Sequence, residues 1–320
     1  MRRLSLRHLR AFVAVAETGS FTLAAARIFQ TQSALTATIR QFEESVGIKL
    51  FDRTTRRVEL TDDAIRFKPV ADRILRDFDA AMGDLQAIST GHQGRITIAA
   101  IPSVIAHVLV PALAELRRSH PGIDVSVFDG GTERIERMVL DGEVDFGICG
   151  RHANYPELNY QPLVRDCLGI VCPPDHPLAA CEPAVAWREL AAHDYTSLTE
   201  SAGTAWMLEA HPELTADRQP VPRSSASSVT TLRALLDLGG RYSILPALAA
   251  RSDPMTAFVF RPLDGPRVTR EVCLLTRNLR TVSGNTRRIL SSLVTSLGLL
   301  AGTEGVEILD LDSIAAPAAS

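Results

Sequence analysis

Residues 6–60 read LRHLRAFVAVAETGSFTLAAARIFQTQSALTATIRQFEESVGIKLFDRTTRRVEL, and the spacing of apolar and polar side chains in this stretch decides the fold. Leu6, Leu9, Phe12, Val13 and Ala16 share one helical face, and Gly19 and Ser20 supply a stop and a fresh N-cap. A short second helix is expected over residues 21–29, with Ala24, Ala25 and Ile28 on its packing side. The chain then turns through Gln30, and Thr31 is the next candidate N-cap. Leu35, Ile39, Phe42 and Val46 recur at four, three and four residues, so one stripe of a third helix is buried. Its opposite face keeps Gln32, Ser33, Thr36, Ala37 and Arg40.

Short polar side chains on the first turn of such a helix can reach base edges in the major groove. Gln32 is the best base reader, because its amide both donates and accepts and so matches adenine N7 and N6. Ser33, Thr36 and Arg40 extend that surface. The following segment, Lys49 to Leu60, reads as a two-stranded wing around Arg53, Arg56 and Arg57, placed for phosphates or a minor groove. Charge distribution supports a nucleic-acid interface. Residues 1–60 hold ten Lys or Arg against five Asp or Glu, although the whole chain has a net charge of −3.

The 320 residues are 46% hydrophobic, enough for two or three units with real cores. No apolar run approaches a membrane span, and Arg7, His8 and Arg10 interrupt any signal core, so a soluble cytoplasmic protein without membrane partners is expected. The five cysteines, Cys149, Cys167, Cys172, Cys181 and Cys273, show no CxxC pairing and no histidine cluster; neither a metal site nor a cofactor is expected. Cys149 and Cys273 lie in apolar runs as small hydrophobes, while a redox pair of Cys172 and Cys181 stays open. GxGxxG after the first strand, a Walker loop and a GxSxG turn are all missing, which disfavours an enzyme and leaves no catalytic residues.

Thr61, Asp62 and Asp63 open a long helix over residues 61–89, with acidic residues at the positive end of its dipole. Ile65, Ala71, Ile74, Phe78, Ala81 or Met82, Leu85 and Ile88 form an apolar stripe that a partner subunit or the chain's own C-terminal domain must cover. After a hinge at residues 89–94 the pattern alternates. Strands are expected at 95–101, 124–128 and 144–149, with Ser103 capping a helix to about Ser119 and another helix following Gly131 and Thr132. Further strands at 168–172, 195–198, 242–245 and 271–276 and helices at 229–238 and 283–299 make two lobes with a cleft between them. The expected fold is α/β: a winged helix-turn-helix at 1–60, a linker helix at 61–89 and an effector domain at 90–300. Lobe I takes about 94–165 and 269–300, lobe II about 166–268, and residues 301–320 form a flexible tail. Ligands in parallel sheets lie beyond the carboxyl ends of strands, beside helix N-termini. That rule selects Ser103, Thr132 and Arg151 from one lobe and Thr199, Ser201 and Ser227 from the other, with Ser228 beside the last. Arg151, opposed by Glu200, suggests an anionic or zwitterionic effector, whereas Arg241 falls at the wrong end of its strand.

With these features in view, the chain resembles the LysR-type transcriptional regulators up to about residue 299, most specifically across the winged-helix stretch quoted above. The resemblance implies a homodimer formed through the linker helix, commonly paired into a tetramer, and a periplasmic-binding-protein-like domain that senses a small molecule. Effector binding would then change the shape of the tetramer and the bend of double-stranded promoter DNA, with RNA polymerase a further partner. Ser103 and Thr132 match effector-binding positions of that family. The chain departs from it at Ala37, where a long polar residue is common, at Ser33 in place of Pro, at Ala64 in place of Gly, and at Gly239-Gly240-Arg241 in place of Gly-x-Gly. These departures bear on operator sequence and loop geometry rather than on the fold. The competing classes are an enzyme on a doubly wound sheet and a simple small-molecule binding protein; the latter needs neither a basic winged head nor a dimerising helix.

Overall fold

The computed structural model describes residues 4–53, 58–90, 94–199, 220–278 and 283–309, without the side chains of residues 53, 80 and 84–90. It divides into two compact units, residues 1–91 with 141–143, and the remainder.

In the first unit, α1 (Leu6–Thr18) ends at Gly19, whose φ of 61° is open to glycine, and Ser20 caps α2 (Phe21–Arg27) by accepting from the Leu23 amide at 3.4 Å. Helix α2 stops two residues earlier than its apolar pattern suggests. The Phe29 amide donates to the Ala26 carbonyl at 3.2 Å and the Gln30 amide to that of Ala25 at 2.9 Å, the bond pair of a Schellman cap. Phe29 therefore occupies the left-handed position of that cap at φ 53°. A bulky residue held there costs on the order of 1–3 kcal/mol.

Thr31 caps α3 (Gln32–Val46) through the Ala34 amide at 3.2 Å. Leu35, Ile39 and Phe42 are buried with Phe12, Phe21, Leu50 and Phe51, whereas Val46, expected on the same stripe, is exposed at the helix end. Strands β1 (Phe51–Arg53) and β2 (Val58–Leu60) pair antiparallel, Phe51 opposite Leu60 and Arg53 opposite Val58. Buried Glu43 holds the entry to the wing, because its Oε1 accepts from the Leu50 amide at 2.9 Å and the Phe51 amide at 3.4 Å. Helix α4 (Asp62–Thr90) puts Ala64, Phe67 and Ala71 into this core. Ile65, Ile74, Phe78 and Met82 stay exposed, and Arg10 both pairs with Asp79 at 2.6 Å and lies 5.9 Å from the Phe78 ring centre.

The second unit opens with β3 (Arg95–Ala100), then α5 (Pro102–Val104), a π turn (Ile105–Leu109) and α6 (Val110–Ser119). β4 (Asp124–Asp129), α7 (Thr132–Leu140) and β5 (Phe146–Cys149) follow, and β3 pairs parallel with both β4 and β5. The long strand β6 (Leu158–Cys172) comes next, then β7 (Val185–Ala186), β8 (Asp194–Leu198) and β9 (Pro222–Ala226). The rest are α8 (Val229–Leu236), β10 (Arg241–Pro246), α9 (Ala247–Ala250), β11 (Val259–Asp264), β12 (Thr269–Arg277), α10 (Gly284–Gly298) and β13 (Val306–Ile308).

Hydrogen-bonded neighbours run β4-β3-β5-β12-β6-β10-β8-β9. β6 belongs to two sets of partners: residues 158–167 pair with β12, and residues 168–172 pair with β10 and β11. The parallel strands β8, β9 and β10 thus attach to the far half of β6. Separate cores follow, one around Ile98, Phe146, Val164 and Leu293, another around Trp187, Tyr195 and Tyr242.

Two expectations are corrected. The strand placed at 168–172 begins ten residues earlier, because Gln161, Pro162, Arg165 and Asp166 break the apolar run while their backbones still pair with β12. Residues 301–309, placed in a flexible tail, instead cross β6: Val306–Ile308 pair antiparallel with residues 164–166, and the Cys167 amide donates to the Gly305 carbonyl at 2.8 Å. Gly305 admits no side chain there, since a Cβ would lie 2.7 Å from Cys167 Sγ. The remaining tail residues, 310–320, fall outside the described residues.

Candidate functional site

Two surfaces collect the residues singled out from sequence. On α3, Gln32 and Ser33 are exposed on the first turn, Thr36 is half-buried one turn on, and Arg40 is exposed with its Nε 2.9 Å from Glu44. The Ser33 hydroxyl is 3.1 Å from that of Thr31, so it shares the cap, while Gln32 is exposed and not among the buried residues of the helix. Arg53 lies in β1, opposite Val58; its side chain and the whole of Arg56 and Arg57 fall outside the described residues. The exposed first turn of α3 carries no acidic residue. It is a surface of neutral donors and acceptors on a rigid, well-packed helix, suited to base edges.

The second surface forms at the carboxyl ends of parallel strands. Ala100 of β3 is level with Asp129 of β4 and Ile148 of β5, so Ser103, Thr132 and Arg151, which follow these strands, lie along one sheet edge. In the other set, Leu198 is level with Ala226, and Thr199, Ser227 and Ser228 follow. The two edges meet at one cluster. Arg270 on β12 donates from Nε and Nη2 to the two carboxylate oxygens of Asp166 on β6, at 2.9 and 2.8 Å. Its Nη2 also lies 3.4 Å from Ser103 Oγ, and Asp166 Oδ2 accepts from the Leu248 amide in α9, just beyond β10. Asp166, Arg270 and Ser103 are all buried. Asp166 and Arg270 were missed at the sequence level, because each lies just before the apolar run expected as a strand, 168–172 and 271–276.

Individual side chains differ from expectation. Ser103 does not cap its helix: the chain enters through Ile101 and Pro102, and the Ser103 hydroxyl accepts from Arg270 instead. Thr132 is the half-buried first residue of α7, where the Gly131 carbonyl accepts from the Ile135 amide at 3.1 Å. Thr199 donates its hydroxyl to the Ala226 carbonyl at 3.1 Å. Ser228 caps α8 through the Thr231 amide at 3.1 Å, and Ser227 before it is exposed. Glu200 and Ser201 fall outside the described residues.

Arg151 is exposed, 4.6 Å from the centre of the Tyr160 ring and 3.3 Å from Asn154 Oδ1. Behind it the buried Glu136 Oε1 accepts from the Tyr160 hydroxyl at 3.0 Å and the His152 amide at 3.1 Å. Burial, then the Glu136 charge, raises the Tyr160 phenol above its ordinary range.

Burial also pushes the thiols of Cys172 and Cys273 up to about 12 and raises those of Cys149 and Cys167. Thiols so shifted are protonated and poor nucleophiles at neutral pH, which counts against a redox role for Cys172. Among the described residues no group of three His, Cys, Asp or Glu could hold a metal ion, and no helix is long and apolar enough to cross a membrane.

Comparison with known proteins gives two family matches. Residues 6–65 match the bacterial regulatory helix-turn-helix protein, lysR family, and residues 89–298 match the LysR substrate binding domain. The uncharacterized HTH-type transcriptional regulator YbhD of Escherichia coli strain K12 is 30% identical over 292 residues, covering 90% of each chain. Among solved structures, full-length OxyR from Pseudomonas aeruginosa superposes with a TM-score of 0.65 at 20% identity, over 96% of this chain and 99% of that one. Full-length CbnR, solved with its target DNA, gives 0.62 at 21% identity over 93% and 100%.

Proposed function

The chain belongs to the LysR-type transcriptional regulators, sequence-specific DNA-binding proteins with an effector domain, and on that premise we propose how its own residues divide the work. It is a regulator and not an enzyme. Gln32 reads a base in the major groove, with Ser33, Thr36 and Arg40 beside it and Arg53, Arg56 and Arg57 on the phosphates or minor groove flanking the half-site. The exposure of Gln32 and Ser33 on the first turn of a firmly capped helix supports this assignment.

The effector is a small, anionic or zwitterionic metabolite held where the two strand edges meet, by Ser103 and Thr132 from one set and by Thr199, Ser201 and Ser227 from the other, with Arg151 at the rim. One observation carries this reading: the Ser103 hydroxyl bonds to the Arg270–Asp166 pair, which also binds the Leu248 amide of the second set. A ligand on Ser103 would therefore act on the junction itself.

Active protein is a dimer through α4, whose exposed Ile74, Phe78 and Met82 would otherwise face water, and dimers pair into tetramers on promoter DNA. It works in the cytoplasm, where RNA polymerase is available as a further partner. Domain limits of 1–60, 61–89 and 90 to about 309 fit these roles, the last extended by the pairing of β13 with β6. Gel shifts with the DNA upstream of its own gene provide the test. Wild type shifts that DNA ahead of random DNA, Gln32→Ala loses the preference, and Arg56→Ala binds both more weakly with a shallower salt dependence. Equal binding of both DNAs by all three proteins would overturn the assignment.

A further inference from the structure

The turn between α2 and α3 is built against its own stability. Phe29 occupies the left-handed cap position, φ 53°, where glycine or asparagine is usual, and the residue is 97% exposed. The next residue adds a second local penalty, because Gln30 Oε1 is buried with no hydrogen-bond partner. A ring that packs on nothing cannot offset strain through the fold. Strain retained beside a binding surface indicates that the residue is kept for what it meets outside the chain.

The position of the turn identifies the occupant. Phe29 precedes Gln32 by three residues, so their Cα atoms are at most about 11 Å apart. The B-DNA major groove is about 12 Å wide. With Gln32 on a base edge, the exposed Phe29 ring is within reach of the same groove. Its chemistry is wholly apolar, and apolar carbon on that surface belongs to deoxyribose and to the thymine methyl group.

We infer that Phe29 is a DNA-contacting residue, its ring set by the left-handed turn against deoxyribose carbons or a thymine methyl beside the base read by Gln32. The inference rests on the placement of Gln32 in the groove. It adds a large apolar contact, insensitive to salt, to a surface whose other long side chains are amides and arginines.

Phe29→Asn separates this role from a structural one because the two effects have opposite signs. Asparagine suits the left-handed conformation, so the melting temperature of the full-length variant rises while affinity for upstream DNA falls. Removing a buried phenyl contact lowers affinity roughly tenfold or more. The slope of affinity against salt stays unchanged, since no phosphate contact is lost. Replacing thymine by uracil across the half-site then locates the contact: a wild-type loss that Phe29→Asn no longer shows marks the methyl, and equal binding of both DNAs by both proteins marks the sugar.

A Phe29→Asn variant that binds within about twofold of wild type while Gln32→Ala loses its preference overturns the inference and leaves the reading surface standing. If neither variant changes binding, both assignments fall. A Phe29→Asn affinity loss explained by dissociation into single chains also overturns it, since the ring would then serve a subunit contact.

Discussion

Arg270 and Asp166 form a two-pronged ion pair, 2.9 and 2.8 Å, sealed inside the protein where β6 passes from one set of strands to the other. Neither charge has water to fall back on. Breaking such a pair from one side leaves the other charge buried and unmatched, at a cost of roughly 3–5 kcal/mol, whereas replacing both partners by apolar residues of similar size is often near neutral. Asp166→Asn should therefore lower the thermal transition of the effector unit sharply, and the double variant Asp166→Leu, Arg270→Met should recover much of the loss. Calorimetry of the three proteins checks this, and equal destabilisation by single and double variants would count against it.

The pair also marks where sequence reading stopped short. The helices of the head and the strands at residues 95–100, 124–129 and 241–246 were legible because burial imposes a period of 3.6 or an apolar run bounded by turns. β6 was half hidden, because Asp166 and Arg165 look like loop residues until the partner charge on β12, 104 residues away, is known. β13 was hidden for a related reason: a strand of three residues has too few positions to show alternation, and it is held by pairing with β6, far away in sequence. Ser103 was picked out by strand position as a helix cap, and its bond to Arg270 in place of that cap had no trace in the local sequence. Phe29 could not be recognised as strained from sequence, since φ is set by the two cap hydrogen bonds to Ala25 and Ala26.

Acid should weaken the fold through His176. Its Nδ1 accepts from the Leu178 amide at 3.2 Å, which requires the neutral ring, and burial followed by the neighbouring His193 lowers its pKa below 6.5. The unfolded chain takes up the proton near pH 6.5 while the folded one refuses it, so stability is full above that pH and declines as pH falls toward the folded pKa. The slope is at most about 1.4 kcal/mol per pH unit for one proton. His176→Asn keeps an acceptor for the Leu178 amide and removes the titration. Its denaturation midpoint should vary less than wild type between pH 7 and pH 5, about the range where imidazole titrates; parallel curves would refute the assignment.

Dimerisation is expected to depend on the outer stripe of α4. Ile74 and Phe78 are 40% and 38% exposed, four residues apart, and only Arg10 shields the Phe78 ring among the contacts described. Aspartate at both positions would set charges against apolar surface in the assembly, costing several kcal/mol, while leaving the head core of Phe12, Leu35 and Phe42 intact. Light scattering at micromolar concentration should give wild type at least twice the 34.7 kDa chain mass and the double variant the single mass, with unchanged helical content. Wild type at the single-chain mass would remove the dimer.

Effector binding should depend on Ser103 and Thr132 without depending on the DNA-binding head. The Ser103 hydroxyl is a secondary partner of Arg270, at 3.4 Å, so Ser103→Ala leaves the two shorter bonds to Asp166 in place. Losing that long bond should cost no more than about 1 kcal/mol of stability. Thr132 is half-buried at the start of α7, and its replacement by valine keeps the shape while removing the donor. A hydrogen bond from either hydroxyl to a charged ligand group is worth about 1.5–3 kcal/mol, so each variant should bind more than tenfold more weakly. Small carboxylates that raise the melting temperature of wild type provide the probe, and titration calorimetry on the full chain, compared at equal folded fraction, measures the loss. Operator binding without the carboxylate should match wild type in both variants. If they instead melt earlier and bind the carboxylate as tightly as wild type, the hydroxyls serve only the local fold, and the ligand lies elsewhere along the strand edges.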